Sequence, residues 1–136
     1  MKTLVIFYSY TGKTKKIAEE LAAQESAGIC EIKDISRPGV IKAYSKGILD
    51  TIRGKAWPIQ ALSADLAAYD RLFLLSPVWA DNPPPAVNAA LEKLPRGRTV
   101  SVKMVSASGK SDCRERLEKV LRAKGCVLEG IEDIKV

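Results

Sequence analysis

Segments with strand-like and helix-like patterns alternate along almost the whole 136-residue chain. Residues 71–76 (RLFLLS) are almost continuously apolar, which is typical of a central strand in a parallel sheet. Further strands are predicted at residues 3–8, 27–35, 99–106 and 126–136, and helices at residues 13–24, 85–94 and 111–124. Strands separated by helices require right-handed crossovers and a parallel sheet with helices on both faces. The sequence therefore predicts a single α/β domain over residues 1–136.

Two helices carry recognisable end signals. Ser36 and Pro38 predict the start of a second helix, and Gly54 predicts its end. The apolar residues of that helix step by three and four positions and are Ile41, Tyr44, Ile48 and Ile52. Ser111 is predicted to cap the last helix, which Gly125 ends and which directs four residues inward: Cys113, Leu117, Val120 and Leu121. A short helical turn is expected near residues 65–68.

The composition excludes several classes of site. The sequence has no histidine, which removes histidine-based triads and histidine metal sites. Cys30, Cys113 and Cys126 are odd in number and widely spaced, a pattern typical of free thiols in a reducing cytosol. No apolar run has the length of a membrane span, and the first residues enter a strand without the pattern of a signal peptide. We therefore expect a cytoplasmic protein without a membrane segment or a metal ion.

The net charge of +6 arises from 22 Lys and Arg residues against 16 Asp and Glu residues. Basic and acidic residues are mixed along the predicted helices, as in residues 114–119 (RERLEK). This mixing favours a solvated surface over a nucleic-acid interface. No nucleic-acid partner is therefore expected.

Three loops follow the first, third and fourth strands, and parallel sheets bind ligands at this edge. The first loop, residues 9–14 (SYTGKT), leads into a helix N-terminus, whose free N–H groups and dipole favour a phosphate. One glycine is too few for a Walker loop, which has the pattern GxxxxGK[ST], or for a GxGxxG dinucleotide loop. The alternative is a capped turn without a ligand, because Ser and Thr also cap helices.

The loop after the third strand, residues 76–85, places Trp79 at the same edge among prolines that stiffen the chain. Its indole is suited to stack on a planar ring. The loop after the fourth strand, residues 106–111 (SASGKS), has small residues that let backbone amides approach such a ring. Together the loops predict a mononucleotide-like ligand, with a phosphate at one end and a large flat ring at the other.

The residues of these loops resemble those of the flavodoxin family. The stretch YSYTGKT is similar to the family's FMN-phosphate loop, [ST]-x-T-G-x-[TS], and YDRLFLLSPVWADNPPPAV is similar to the strand and loop that flank the flavin. The resemblance covers nearly the whole chain. It implies a three-layer flavodoxin-like fold with a five-stranded parallel sheet in the order 2-1-3-4-5 and FMN bound without a covalent link.

The resemblance also implies which residues bind the cofactor. The phosphate group would be held by Ser9, Thr11, Gly12, Lys13 and Thr14, with Tyr10 among them. Pro77, Val78, Trp79 and Ala80 would contact the isoalloxazine ring, with Trp79 stacking on it. Ser106, Ala107, Ser108 and Gly109 would close the other side of the binding site.

The sequence departs from the flavodoxin pattern in four respects. Lys13 stands where a small polar residue is frequent, and the fourth-strand loop has no aromatic residue, so Tyr10 or a partner chain would have to supply one. The chain is basic, whereas electron-carrying flavodoxins are usually acidic. It also ends at its fifth strand, without the usual last helix. We therefore expect an exposed apolar sheet face that a second copy covers in a homodimer.

Two redox functions and one function without flavin remain open. The first is electron transfer to and from partner proteins through FMN, favoured by a short chain with no visible nicotinamide-binding segment. The second is an FMN-dependent NAD(P)H oxidoreductase acting on a quinone or another small acceptor, favoured by the missing aromatic and the positive charge. The third is a flavodoxin-like interaction module that binds no flavin.

Trp57 is interpreted as a packing residue, and Asp81 and Asp112 as turn and helix-start residues.

Overall fold

Five parallel strands form one sheet in the computed structural model, which describes residues 2–36 and 39–136. The strands are β1 (Thr3–Phe7), β2 (Gly28–Glu31), β3 (Arg71–Pro77), β4 (Thr99–Ser106) and β5 (Val127–Lys135). Their order across the sheet is β2-β1-β3-β4-β5, and every neighbouring pair is parallel. The predicted fold class and strand order are therefore confirmed.

Helices connect the strands and lie on both faces of the sheet. They are α1 (Lys13–Gln24), α2 (Val40–Lys42), a π-helical segment (Ala43–Gly47), α3 (Ile48–Ile52), α4 (Pro85–Glu92) and α5 (Arg114–Ala123). From α2 to α3 the helical segments are continuous, and we call them the 40–52 helix. A 3₁₀ turn (Leu66–Ala68) occurs where a helical turn was predicted, with the Asp65 carboxylate accepting a hydrogen bond from the Ala67 N–H at 3.2 Å.

The two faces of the sheet carry two apolar clusters. On one face Val5, Phe7, Phe73 and Leu75 pack against α1 through Ala18 and Ala22. On the other face the larger cluster joins the sheet to α4 and α5 and contains, among others, Leu4, Ile6, Leu72, Leu74, Val102, Met104, Leu91, Leu117 and Leu121. Because β1 and β3 have helices on both sides, their side chains are buried in both directions, as their continuous apolar sequences predict.

The 40–52 helix differs from its prediction. Its apolar residues were expected to form one face, but Ile41 and Ile52 are exposed and Ile48 is only half-buried. The π-helical segment changes the periodicity, so a register counted in steps of three and four does not hold across it. Pro38, part of the predicted start signal, lies outside the described residues, as does the side chain of Tyr44. Gly54 follows the helix with φ of +69°, which agrees with the predicted end.

The predicted cap of α5 is wrong. Cys113 precedes the helix, and no side chain caps the first turn. The Ser111 hydroxyl donates instead to Oδ1 of Asp133 on β5, at 2.5 Å. Ser111 lies two residues before Cys113 and so outside the cap position, and its hydroxyl ties the loop to the sheet. The buried positions Cys113, Leu117 and Leu121 are confirmed.

The face of β3, β4 and β5 beside α1 is polar, which overturns the expected apolar surface. The Arg71 guanidinium donates to Glu129, and Lys103 Nζ lies 2.7 Å from Oε2 of Glu132. Arg71 and Lys103 also lie over the ring of Phe73, with 4.4 and 5.8 Å to its centroid. Among the described residues, the helix packed on this side of the sheet is α1, against β1 and β3. The homodimer stays a prediction, but its original reason, an exposed apolar face, is absent from the described residues.

Candidate functional site

Three loops meet at the carboxyl edge of the sheet. Loop 1 (residues 8–12) follows β1, loop 3 (residues 78–84) follows β3, and loop 4 (residues 107–113) follows β4. Together with the adjoining ends of α1, β3 and β4, they enclose a cleft of about 210 Å³. The cleft is lined by Tyr10, Thr11, Lys13, Thr14, Pro77, Val78, Trp79, Val105, Ser106, Ala107 and Val136. The three loops that the sequence analysis selected therefore meet at one cleft.

Loop 1 enters α1 through Gly12. This residue has φ of +100°, in the left-handed region, and its N–H donates to Oγ of Ser9 at 3.0 Å. Its carbonyl accepts the first helical hydrogen bond, from the N–H of Lys16 at 3.2 Å. The N–H groups of the first turn therefore have no partner within the helix, and the exposed side chains of Thr11 and Lys13 lie beside them. This arrangement favours binding of an anion.

Residues 79–82 of loop 3 form a tight turn. The Trp79 N–H donates to the Asn82 carbonyl at 2.8 Å, and the Asn82 N–H donates back to the Trp79 carbonyl at 3.0 Å. Between them, Ala80 and Asp81 have φ of +45° and +66°. Positive φ at both central positions defines a type I′ turn, which favours Asn and Gly. An alanine there is strained by about 1–2 kcal/mol, so surrounding contacts must hold the turn.

Those contacts come from α5 and from Asp112, two residues before it. The Asp112 N–H donates to the Asp81 carbonyl at 2.9 Å. Arg116 donates from Nη1 to Oδ1 of Asn82 at 3.0 Å and from Nη2 to Oδ1 of Asn88 at 2.9 Å. Burial lowers the pKa of Arg116, and no carboxylate in the described part of the chain forms an ion pair with it. Neutral oxygens thus hold this cation, which cross-links loop 3, α4 and α5.

Trp79 is half-buried and meets two tyrosine rings edge-on. The ring centroids are 5.6 Å apart for Tyr10 and 6.3 Å apart for Tyr8. The Tyr8 hydroxyl donates to Oδ2 of Asp34 at 2.6 Å, which anchors this aromatic group to the loop after β2. Tyr10 lies beside Trp79 in the cleft wall, so it is placed to serve as the second aromatic side chain that loop 4 lacks.

A second cavity of about 320 Å³ lies against the same aromatic wall. It shares Tyr10, Thr11, Val78 and Trp79 with the cleft and adds Ala43, Ile48 and Ala80. Gly47 packs beside it, because a Cβ added at this residue would lie 3.1 Å from Cζ3 of Trp79. Sequence analysis missed Ala43, Gly47 and Ile48 as site residues. The one available signal was a glycine inside a helical pattern, which often marks a close approach.

Loop 4 uses its hydroxyl groups internally. Oγ of Ser106 accepts a hydrogen bond from the Gly109 N–H at 3.0 Å, and Oγ of Ser108 accepts one from the Lys110 N–H at 3.2 Å. Gly109 has φ of +70°, and a Cβ there would lie 2.8 Å from Cβ of Lys135. Ser106 and Ala107 line the cleft, whereas Ser108 and Gly109 shape the loop behind it.

The remaining residues singled out in the sequence do not line the cleft. Ala80 lines the second cavity, and Ser9 and Gly12 shape loop 1. Trp57 packs as interpreted, since its Nε1 donates to Oδ2 of Asp50 at 2.8 Å and it lines neither the cleft nor the second cavity.

All three cysteines are buried free thiols. Burial raises the pKa of Cys113 and Cys126, so these two thiols stay protonated and unreactive near neutral pH. In residues 2–36 and 39–136, no helix combines the length and the apolar character that a membrane crossing requires. The same residues contain no group of three or more His, Cys, Asp or Glu side chains suited to a metal ion.

Solved structures of flavoproteins share this architecture. A flavoprotein from Lactobacillus acidophilus, in complex with FMN, matches with a TM-score of 0.76 and 26% identity over 96% of this chain and 91% of that one. The chain is flavodoxin-like. A candidate flavoprotein from Bacteroides eggerthii has a TM-score of 0.81 and 22% identity over 96% of this chain and 86% of that one. A flavodoxin variant from Pseudomonas aeruginosa has a TM-score of 0.55 and 12% identity over 100% of this chain and 85% of that one.

The predicted resemblance to flavodoxin-like proteins is confirmed by these structures at the level of the fold. No family model matches the flavodoxin-like sequence, and a comparison with curated proteins finds no match. The structures from Bacteroides eggerthii and Pseudomonas aeruginosa, both below 25% identity, support the fold alone.

Proposed function

We propose that this flavodoxin-like chain binds FMN without a covalent bond and transfers electrons to and from partner proteins through it. One observation carries the proposal: an open helix N-terminus and a firmly held tryptophan meet in one cleft. The helix end and Lys13 favour a phosphate, and Trp79 favours a flat ring. The FMN complex of the Lactobacillus flavoprotein supports this cofactor. The free cysteines support a cytoplasmic location.

In this proposal the chain positions the cofactor, and FMN supplies the redox chemistry by accepting and releasing electrons. The residues proposed to hold the phosphate are Ser9, Tyr10, Thr11, Gly12, Lys13 and Thr14. Those proposed to lie beside the ring are Pro77, Val78, Trp79, Ala80, Ser106 and Ala107, while Ser108 and Gly109 shape loop 4 behind them. The Lys13 cation adds a charge-assisted contact to the phosphate. The strained turn at residues 79–82 keeps Trp79 in place without rearrangement when the ring enters.

The test is the visible absorption spectrum of the purified protein, taken before and after incubation with FMN and desalting. A retained flavin spectrum is the expected result. A protein that stays colourless in both cases would refute FMN binding and favour the interaction module without flavin.

Matched variants assign the spectrum to this cleft. Trp79→Ala and Lys13→Met are expected to weaken FMN binding, because each removes a contact to one end of the cofactor. Trp57→Phe and Lys119→Met serve as controls, since Trp57 lines neither cavity and Lys119 is exposed on α5. Equal FMN affinity in all four variants would place the flavin elsewhere.

A second candidate function is an FMN-dependent NAD(P)H oxidoreductase acting on a quinone or another small acceptor. The observation that favours it is the apolar second cavity beside Trp79, together with a loop 4 that carries no aromatic ring over the cleft. Mixing the FMN-loaded protein with NADPH in a stopped-flow instrument separates the two functions. Rapid bleaching of the flavin supports the oxidoreductase, and a stable spectrum supports the electron carrier.

A further inference from the structure

The 40–52 helix presents an exposed surface that combines apolar and basic side chains. Ile41 is 85% exposed, Ile52 61% and Leu49 45%, although such side chains are usually buried. Three exposed basic side chains lie among them: Lys42 and Lys46 on the same helix, and Arg53 directly after it. All six side chains are exposed within the short segment of residues 41–53. We call them the helix surface.

Acidic residues are almost absent from the part of the sequence that contains the helix surface. Asp50 is the only acidic residue between residues 35 and 64 of the sequence, and it is 5% exposed and bonded to an indole N–H. Asp34, just before this segment, accepts a hydrogen bond from a tyrosine hydroxyl. On α5, by contrast, Lys119 pairs with Glu115 at 3.6 Å. The helix surface is thus a patch of one sign around apolar side chains, unlike the mixed surface of α5.

The opposite side of the same helix faces the proposed redox site. Ala43 and Ile48 line the second cavity, and Gly47 packs against Trp79. A protein docked on the helix surface would therefore lie about one helix diameter, about 10 Å, from the aromatic wall of the cleft.

We propose that the helix surface docks an acidic electron-transfer protein with an apolar contact centre, an assignment that rests on the proposed FMN function. Apolar side chains surrounded by charge are the layout of a transient protein interface, and opposite charge speeds the encounter. After docking, one electron leaves the reduced metal centre of the partner and enters the flavin. A membrane surface fits less well, because Ser45 and Lys46 interrupt the apolar side chains, whereas an interfacial helix needs a continuous apolar face.

The experiment uses a reduced, acidic [2Fe–2S] ferredoxin as the probe. FMN loading is checked first by absorbance, so a failure of the proposed function is seen before any partner is added. The second-order rate constant for flavin reduction is then measured at low and high salt. We expect it to fall about tenfold or more in Lys46→Glu/Arg53→Glu, because charge reversal removes the electrostatic attraction. The control Lys119→Glu/Arg122→Glu changes the same number of charges on α5 and should retain most of the rate.

A second measurement does not depend on flavin or on variants. Backbone amide NMR shifts of the apo protein are recorded while oxidised ferredoxin is added, and residues of the 40–52 helix are expected to shift first. If both double variants slow flavin reduction equally, or if the NMR shifts spread over the whole surface, the net charge of the protein explains the effect and the proposal is overturned. The proposal is also overturned if the protein binds no ferredoxin but binds vesicles of phosphatidylglycerol and phosphatidylcholine, and if Ile41→Ser/Ile52→Ser abolishes this vesicle binding.

Discussion

Arg116 holds the tryptophan loop, so replacing it with methionine should damage both stability and flavin binding. Its guanidinium donates to Asn82 and Asn88 at 3.0 and 2.9 Å and, more weakly, to the Thr51 carbonyl at 3.4 Å. Methionine fills a similar space but donates nothing, and it leaves two partly buried amide oxygens without their donor. Each of the two short hydrogen bonds is worth about 1 kcal/mol, and solvent reaching this half-buried group limits any larger effect.

The expected loss is therefore about 2 kcal/mol of unfolding free energy. An unfolding entropy of about 2.1 cal/mol/K per residue amounts to about 0.3 kcal/mol/K for this chain, so the melting temperature should fall by about 7 °C. Urea unfolding followed by tryptophan fluorescence measures the free energy, and calorimetry measures the melting temperature. FMN affinity should fall about tenfold as well, because the turn at residues 79–82 no longer holds Trp79 in place.

Arg122→Met is the matched control, since Arg122 is exposed on the same helix. A melting temperature for Arg116→Met within about 2 °C of the wild-type value would show that the guanidinium does not hold the loop. A normal FMN affinity despite lower stability would separate the two roles and refute the positioning of Trp79 by Arg116.

Three further predictions follow from single residues. Hydrogen bonding to Arg71 lowers the pKa of Glu129 in the folded protein. The ionised carboxylate therefore stabilises the fold above the pKa of Glu129 in the unfolded chain, and this stabilisation is lost as the pH falls through the pKa of the folded state. The urea midpoint of Glu129→Gln should accordingly depend less on acidic pH than that of the wild type. Gly12→Ala forces a residue with a side chain into φ of +100°, so it should lower the free energy of unfolding by about 1 kcal/mol and weaken FMN binding. The control Gly130→Ala has open space around the added Cβ and should change neither quantity. Ala80→Gly relieves positive φ and should unfold at the same or higher urea concentration; a clear loss of stability would contradict the strain.

The order of elements and the loops of the site were predictable because they depend on local patterns. The strand at residues 99–106 has the bounds of β4, and the helix at residues 13–24 has those of α1. Loop 1 was found because the strand, the glycine and the helix start are adjacent in sequence. Such signals require no knowledge of distant contacts, and the sheet topology then brings the three loops to one edge.

The parts that could not be predicted depend on distant residues. Arg116 lies on a helix in a sequence of alternating charges, and nothing there shows that it reaches Asn82, 34 residues earlier. The turn at Ala80 and Asp81 has no Asn-Gly or Asp-Gly signature, because tertiary contacts impose its positive φ values. Ser111 has the sequence of a cap, but the helix begins two residues later than such a cap requires, and the Ser111 hydroxyl donates to a carboxylate on β5.

The polar face beside α1 shows why a sheet can leave part of one side without a helix. In β4 (TVSVKMVS), Ser101 and Lys103 alternate with Val100, Val102 and Met104, so one side of the strand is polar and the other is buried. This alternation was visible in the sequence and signals a strand with one solvated face, which is typical of antiparallel sheets and unusual in a parallel one. The exposed ion pairs there add little stability each, but their charges remain hydrated and cover the Phe73 ring. A second copy of the chain is therefore not needed to shield this face from water, and a monomer in light scattering is compatible with the rest of the structure.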